Sequence, residues 1–185
     1  MTGVLLHVWS PEPEAASRQE PTWAALPALH RALGRAALLS VPTPRADPLA
    51  YAAAIAAARD LVVRSGGPLI VLEGDKEPTP GMLGDLAACP HDLCAQAYRI
   101  YPCTTGLHEP VYAQQLVTTV APWWIEEGAP WAEATGLGLV KIGPGLLPRL
   151  PEGEPFAGDF DWRIIRPLGA RVHVHWPEMP HHHTH

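Results

Sequence analysis

An α/β domain with a mainly parallel central sheet flanked by helices is the fold class this sequence predicts, and three features predict it. Strand and helix patterns alternate through residue 75. The run Leu69-Ile70-Val71-Leu72 is apolar without alternation, as a strand covered on both faces must be. The length of 185 residues suffices for one substantial core and is too short for two domains of ordinary size, so residues 1–185 are expected to form a single domain.

The elements follow in order. Val4-Leu5-Leu6-His7-Val8-Trp9 reads as a strand closed by Ser10-Pro11-Glu12-Pro13, and the polar stretch Glu14 to Glu20 reads as a loop. Trp23, Leu26, Leu29 and Leu33 recur at helical spacing, with Pro27 expected to kink or restart the helix. Ala37 to Val41 is a short strand. Asp47-Pro48 is expected to cap the next helix, whose Tyr51, Ile55, Ala58 and Val62 share a face and whose end is set by Gly66-Gly67.

The 69–72 strand comes next, then a helix capped by Thr79-Pro80 and stopped at Cys89-Pro90. Leu93 to Tyr101 alternates as a strand. Residues 102–135 carry no clear pattern; Trp123, Trp124 and Trp131 among its prolines and acids suit either stacking on a sugar or base, or plugging a core. Thr135 to Gly143 is a glycine-flanked strand that lacks the spacing of the phosphate-binding glycine motifs. Phe156, Phe160 and Ile164 suggest a helix cut by Pro167. In the last strand, Arg171 to Trp176, valines and tryptophan take one face and Arg171, His173 and His175 the other.

Bulk composition excludes some functions. The net charge of −6, without a Lys/Arg stripe, argues against a nucleic-acid partner. No apolar run is long enough for a membrane span. No basic residue precedes the first apolar stretch, as one would in a signal peptide, so the expected location is the cytoplasm. Cys89, Cys94 and Cys103 are odd in number and lack a Cys-x-x-Cys pair, which suits buried thiols better than disulfides or a structural zinc site. The tail, residues 177–185, ends His181-His182-His183-Thr184-His185; the interruption and the missing linker favour a native segment over a purification tag.

The chemistry-bearing stretch is Glu73-Gly74-Asp75, at the carboxyl end of the 69–72 strand. Ligands of α/β sheets bind in the crevice beyond strand carboxyl ends. In extended chain Glu73 and Asp75 point the same way, and Gly74 lets backbone or ligand come close. Two oxygen donors beside a tight turn suit Mg²⁺ or Mn²⁺, which share their shell with phosphates. The competing reading is a solvated turn after a core strand. Lys76 and Lys141, the two lysines of the chain, flank the two glycine-bearing strand ends.

Taken together, Val71-Leu72-Glu73-Gly74-Asp75, the strand Gly136-Leu137-Gly138, the pair Asp161-Trp162, and His173-Val174-His175-Trp176-Pro177 with its tail resemble the GT-A class of glycosyltransferases, specifically its small bacterial and phage relatives. The resemblance spans nearly the whole chain in order, with Glu73 standing where many members carry Asp. It implies a nucleotide-diphosphate sugar as donor, bridged by Mn²⁺ or Mg²⁺, and an acceptor of unknown kind. Asp75 with Glu73 would hold the ion, and His175 or His181 would complete its shell. Trp9, Ser10, Lys76, Gly138 and Lys141 would face the donor. Asp161, or Asp159 in its place, would be the general base that deprotonates the acceptor hydroxyl. The alternative expectation is a catalytically silent GT-A-like module that binds a glycan or a protein.

Overall fold

The computed structural model describes residues 3–44, 46–47, 49–100, 111–117, 122–150 and 169–180. The expected helix around Phe156 to Ile164, the acids Asp159 and Asp161, and His181 with the rest of the tail lie outside those residues.

The chain runs β1 (Val4–Trp9), a 3-10 turn over Pro13–Ala15, α1 (Ala16–Ala32), β2 (Ala37–Pro42), α2 (Ala50–Ser65), β3 (Leu69–Glu73), α3 (Pro80–Ala88) and β4 (Leu93–Gln96). Two short ribbons follow, β5 (Arg99–Ile100) with β6 (Val111–Tyr112), and β7 (Gln115–Val117) with β8 (Pro122–Trp124). Then come β9 (Trp131–Ala132), β10 (Leu139–Ile142), a 3-10 turn over Leu147–Arg149 and β11 (Val172–His175).

Seven strands form one sheet in the order β2-β1-β3-β10-β4-β11-β9. β2, β1 and β3 are parallel, and β11 is parallel to β4. β10, however, is antiparallel to both β3 and β4, and β9 is antiparallel to β11. The sheet is therefore mixed, a correction to the mainly parallel expectation. The apolar pattern of Leu139 to Ile142 records burial on both faces and carries no strand direction.

β3 lies in the sheet interior, between β1 and β10. Its alternate residues feed two cores. Leu69 and Val71 join Val4, Leu6 and Val8 of β1 beneath Ile55, Ala58 and Val62 of α2. Ile70 and Leu72 join Leu5 beneath Leu26, Leu29 and Leu33 on one side and Leu83 and Leu86 of α3 on the other. Helices thus cover both faces, which is why β3 tolerates no polar alternation.

Several local expectations need correction. The stretch Glu14 to Glu20 is mostly helix, because α1 begins at Ala16. That helix runs through both Pro21 and Pro27, each of which removes one backbone donor without ending it. Its buried residues are Gln19, Thr22, Leu26 and Leu29, whereas Trp23 is 41% exposed. α2 starts after Leu49; Asp47, two residues ahead of that N-cap, instead accepts the Leu49 N–H at 3.0 Å. Gly66 does end α2, at φ 71°, where a side chain would be strained. Thr79 caps α3 as expected, accepting the Met82 N–H.

Candidate functional site

A crevice lies at the carboxyl ends of β1 and β3. From β1 the chain passes through α1 to β2 on one side, and from β2 it returns through α2 to β3 on the other. α2 packs on one face of the sheet, and α1 and α3, the helices that follow β1 and β3, share the other. Val8 pairs with Glu73 in register, and the Gly74 N–H donates to the Val8 carbonyl at 2.8 Å. A cleft of about 220 Å³ opens at this point, lined by Trp9, Ser10, Arg18, Tyr51, Glu73 and Asp75 among others.

Gly74 is needed here for a reason other than ligand approach. A Cβ at this position would come within 2.6 Å of Gln19 Oε1 and 3.1 Å of Trp9 Cβ. Gln19, reaching over from α1, takes the Ser10 N–H on Oε1 at 2.8 Å and donates from Nε2 to the Ser10 carbonyl at 2.8 Å and the Ala15 carbonyl at 3.1 Å. One buried amide thus fixes the loop after β1, and with it the cleft wall.

The two acids converge, as the sequence suggested, and Lys76 shows that they do. Its Nζ lies 2.5 Å from Asp75 Oδ1 and 3.3 Å from Glu73 Oε2, and Tyr51 donates to Glu73 Oε1 at 3.3 Å. Lys76 itself is only 2% exposed. Its ammonium sits 4.8 Å from the Tyr98 ring centre, and Thr22 Oγ1 donates to its carbonyl. Lys76 is accordingly an internal counter-ion of the acids, where it was expected to reach out to a donor.

Gly138 belongs to the same place. Its carbonyl accepts the Glu73 N–H at 2.9 Å and its N–H donates to Tyr98 Oη at 3.3 Å. A Cβ on Gly138 would meet Lys76 Cε at 2.6 Å and Tyr98 Cε1 at 2.7 Å. Gly138→Ala is expected to cost about 1–3 kcal/mol through this overpacking, seen as a lower urea midpoint at unchanged slope. An unchanged midpoint would mean that Lys76 and Tyr98 can yield freely.

Two cleft donors are buried without an acceptor, Trp9 Nε1 and Arg18 Nε. Trp9 is braced edge-on by Trp23, with ring centres 5.4 Å apart. No protein-family model matches the sequence, and no curated protein matches it. Among solved structures, the crystal structure of A197 from STIV is similar, with a TM-score of 0.59 and 16% identity over 93% of this chain and 81% of that one. At that identity the likeness speaks for the α/β fold alone.

Lys141 and His175 lie elsewhere, in a second constellation on the α3 side of β10, β4 and β11. Lys141 pairs across β10 and β4 with Cys94, is 5% exposed, and donates to the Cys89 carbonyl. His175 Nε2 lies 3.3 Å from His173 Nδ1, which lies 3.4 Å from Cys89 Sγ, itself 3.0 Å from Cys94 Sγ. Neither Lys141 nor His175 is brought to Glu73 and Asp75, which corrects both expectations. Burial, reinforced by His173, pushes His175 down to about 4, and burial together with His91 and Lys141 lowers His173. Burial and the hydrogen bond with Cys89 push the Cys94 thiol up, partly offset by Lys141.

The chain beyond β11 does return toward the cleft. Met179 is fully buried and donates to the Ala97 carbonyl, and the Glu77 N–H donates to the Pro180 carbonyl at 3.2 Å. Of the three indoles, Trp131 packs on His91 and His173 at 4.8 and 5.0 Å rather than at the cleft. Reading the sequence missed Arg18, Gln19 and Tyr98 at or beside the cleft and the Cys89–Cys94–His173–His175 group. The first three sit on stretches read as loop or strand, and the four ligand-type residues come from parts of the chain up to 86 positions apart.

Proposed function

We propose that this chain is a metal-dependent glycosyltransferase that holds a nucleotide-diphosphate sugar in the β1–β3 cleft and passes the sugar to an acceptor hydroxyl. The observation that carries the reading is the convergence of Glu73, at the end of one interior strand, and Asp75, in the turn that follows it, on the cleft at the carboxyl ends of β1 and β3. Around them the cleft offers what a nucleotide diphosphate asks for. Trp9 presents an indole for a flat base, and the Arg18 Nε–H has no protein acceptor.

The donor set fits Mg²⁺ or Mn²⁺. Both acids supply hard oxygen, both are held to one ammonium, and each side chain keeps nearly a third of its surface exposed. Bound there, the ion would neutralise the diphosphate and its departing charge. Asp75 with Glu73 would hold it, Lys76 would keep the acids oriented, and completion of its shell by His181 is part of the proposal. The general-base role stays with Asp161, or Asp159, as part of the proposal.

The Lys76 contact also favours a second reading, a silent module that binds without an ion, because the acids already have a counter-charge. Thermal unfolding of the protein with Mn²⁺ and each of ADP, CDP, GDP and UDP tests the first reading. A ligand at a hundred times its dissociation constant adds about 2.7 kcal/mol to stability, so one nucleotide should raise the melting temperature clearly. No rise with any of the four would remove the nucleotide-sugar reading.

A further inference from the structure

We propose that Cys89, Cys94, His173 and His175 form a structural site for Zn²⁺ or a similar thiophilic divalent ion, separate from the Glu73–Asp75 cleft. The ligand atoms of these four residues all lie within 4.8 Å of one another. Successive separations are 3.0, 3.4 and 3.3 Å from Cys94 Sγ through Cys89 Sγ and His173 Nδ1 to His175 Nε2. Ligands of a tetrahedral zinc ion are about 3.3–3.8 Å apart, given Zn–S near 2.3 Å and Zn–N near 2.0 Å. Small side-chain adjustments bring the four atoms onto one sphere.

The scaffold explains why they converge. His173 is the register partner of Cys94 across parallel β11 and β4, and His175, two residues on, shares its face. Cys89 caps the carboxyl end of α3 and brings the fourth ligand from the helix layer. Two thiols and two imidazoles select a soft or borderline ion and disfavour Mg²⁺ or Mn²⁺. Both sulfurs are buried and all four positions are protein side chains, which is the closed arrangement of a structural site.

The surroundings also fit. Lys141 places a buried ammonium beside Cys94, and two metal-bound thiolates would give that charge a counterpart inside the fold. His91 and Trp131 flank the His173 ring at 4.6 and 5.0 Å, limiting its rotation. The ion would staple α3 to β4 and β11, elements that the chain reaches far apart in sequence.

Cobalt substitution of the reduced full-length chain is the test, because a thiolate-to-Co²⁺ charge-transfer band requires sulfur and cannot come from the histidine tail. The band should appear with one equivalent of Co²⁺, be displaced by Zn²⁺, be lost in Cys89→Ser and Cys94→Ser, and persist in Cys103→Ser. His173→Ala should weaken zinc binding about tenfold or more, since even outer-shell changes act on that scale. Absence of the band, its survival in both Cys89→Ser and Cys94→Ser, or its loss in Cys103→Ser would overturn the site. Should the serine variants fail to fold, thiol alkylation of the wild-type chain decides. Zinc must protect Cys89 and Cys94, with a chelator restoring labelling; equal labelling in both conditions, or a Cys89–Cys94 disulfide in the chain as purified without reductant, contradicts the proposal.

Discussion

Asp75→Asn is expected to weaken nucleoside diphosphate binding in Mn²⁺ by about ten- to a hundredfold, and to leave binding in chelator undiminished. The two halves of that expectation have one cause. With the ion present, Asp75 is a ligand, and an amide in its place donates less charge to the metal; losing such a partner costs on the order of 1.4–3 kcal/mol. Without the ion, the carboxylate merely repels the phosphates, so its neutralisation removes a penalty. Lys76 retains Glu73 as partner in the variant, so the loop should hold its shape. A uniform loss in both conditions would mean that Asp75 acts through folding of the loop and not through a metal.

The largest expected stability effect is acid destabilisation through His7. Its side chain is fully buried, with Nδ1 at 3.0 Å from Ser40 Oγ, the ring 4.7 Å from Trp23, and Nε2 without a partner. Burial pushes its pKa from 6.5 down to about 4. Below pH 6.5 the unfolded chain takes up a proton that the folded chain refuses, so stability falls as pH falls, and the loss levels off below about 4. Over that window His7 alone should remove about 3 kcal/mol. His175, also lowered to about 4, acts in the same direction. His7→Leu should delete the His7 increment, because Ser40 is exposed and can turn to water. Urea midpoints across pH 4–7 that slope equally in both proteins would refute this role.

What could be read from the sequence was what leaves a one-dimensional trace. The unbroken apolar run of β3 announced an interior strand, Thr79 and Gly66 announced helix ends, and the alternation of Val172 and Val174 with His173 and His175 announced a two-faced strand. Glu73 and Asp75 are legible as neighbours of one strand end, but β3 stops at Glu73 and Asp75 lies in the turn beyond it, so their common ammonium, Lys76, and not strand alternation holds them together. Other features leave no such trace. Whether Leu139 to Ile142 runs parallel or antiparallel is decided by partners, and an apolar run looks the same in both directions. A charge next to a loop is ordinarily solvated, so the sequence points Lys76 outward to a donor; only Tyr98, from the link between β4 and β5, and the absence of a side chain on Gly138 make room for it inside. The Cys89–Cys94–His173–His175 group escaped notice because neither Cys-x4-Cys nor His-x-His is a familiar ligand spacing, and the halves meet only through the β4–β11 register. Pro27 suggested a helix break, yet burial of Leu26 and Leu29 on the sheet outweighs one lost hydrogen bond.

The cleft reading stands or falls on titration calorimetry of the wild-type protein with the nucleotide that stabilises it, once in Mn²⁺ and once in excess chelator. Two carboxylates beside a diphosphate repel it unless a divalent ion lies between them, so binding should be measurable in Mn²⁺ and at least about tenfold weaker in chelator. Equal affinity in the two conditions would contradict a metal-bridged donor at Glu73 and Asp75, and would leave Arg18 as the cleft cation of an ion-independent binding module.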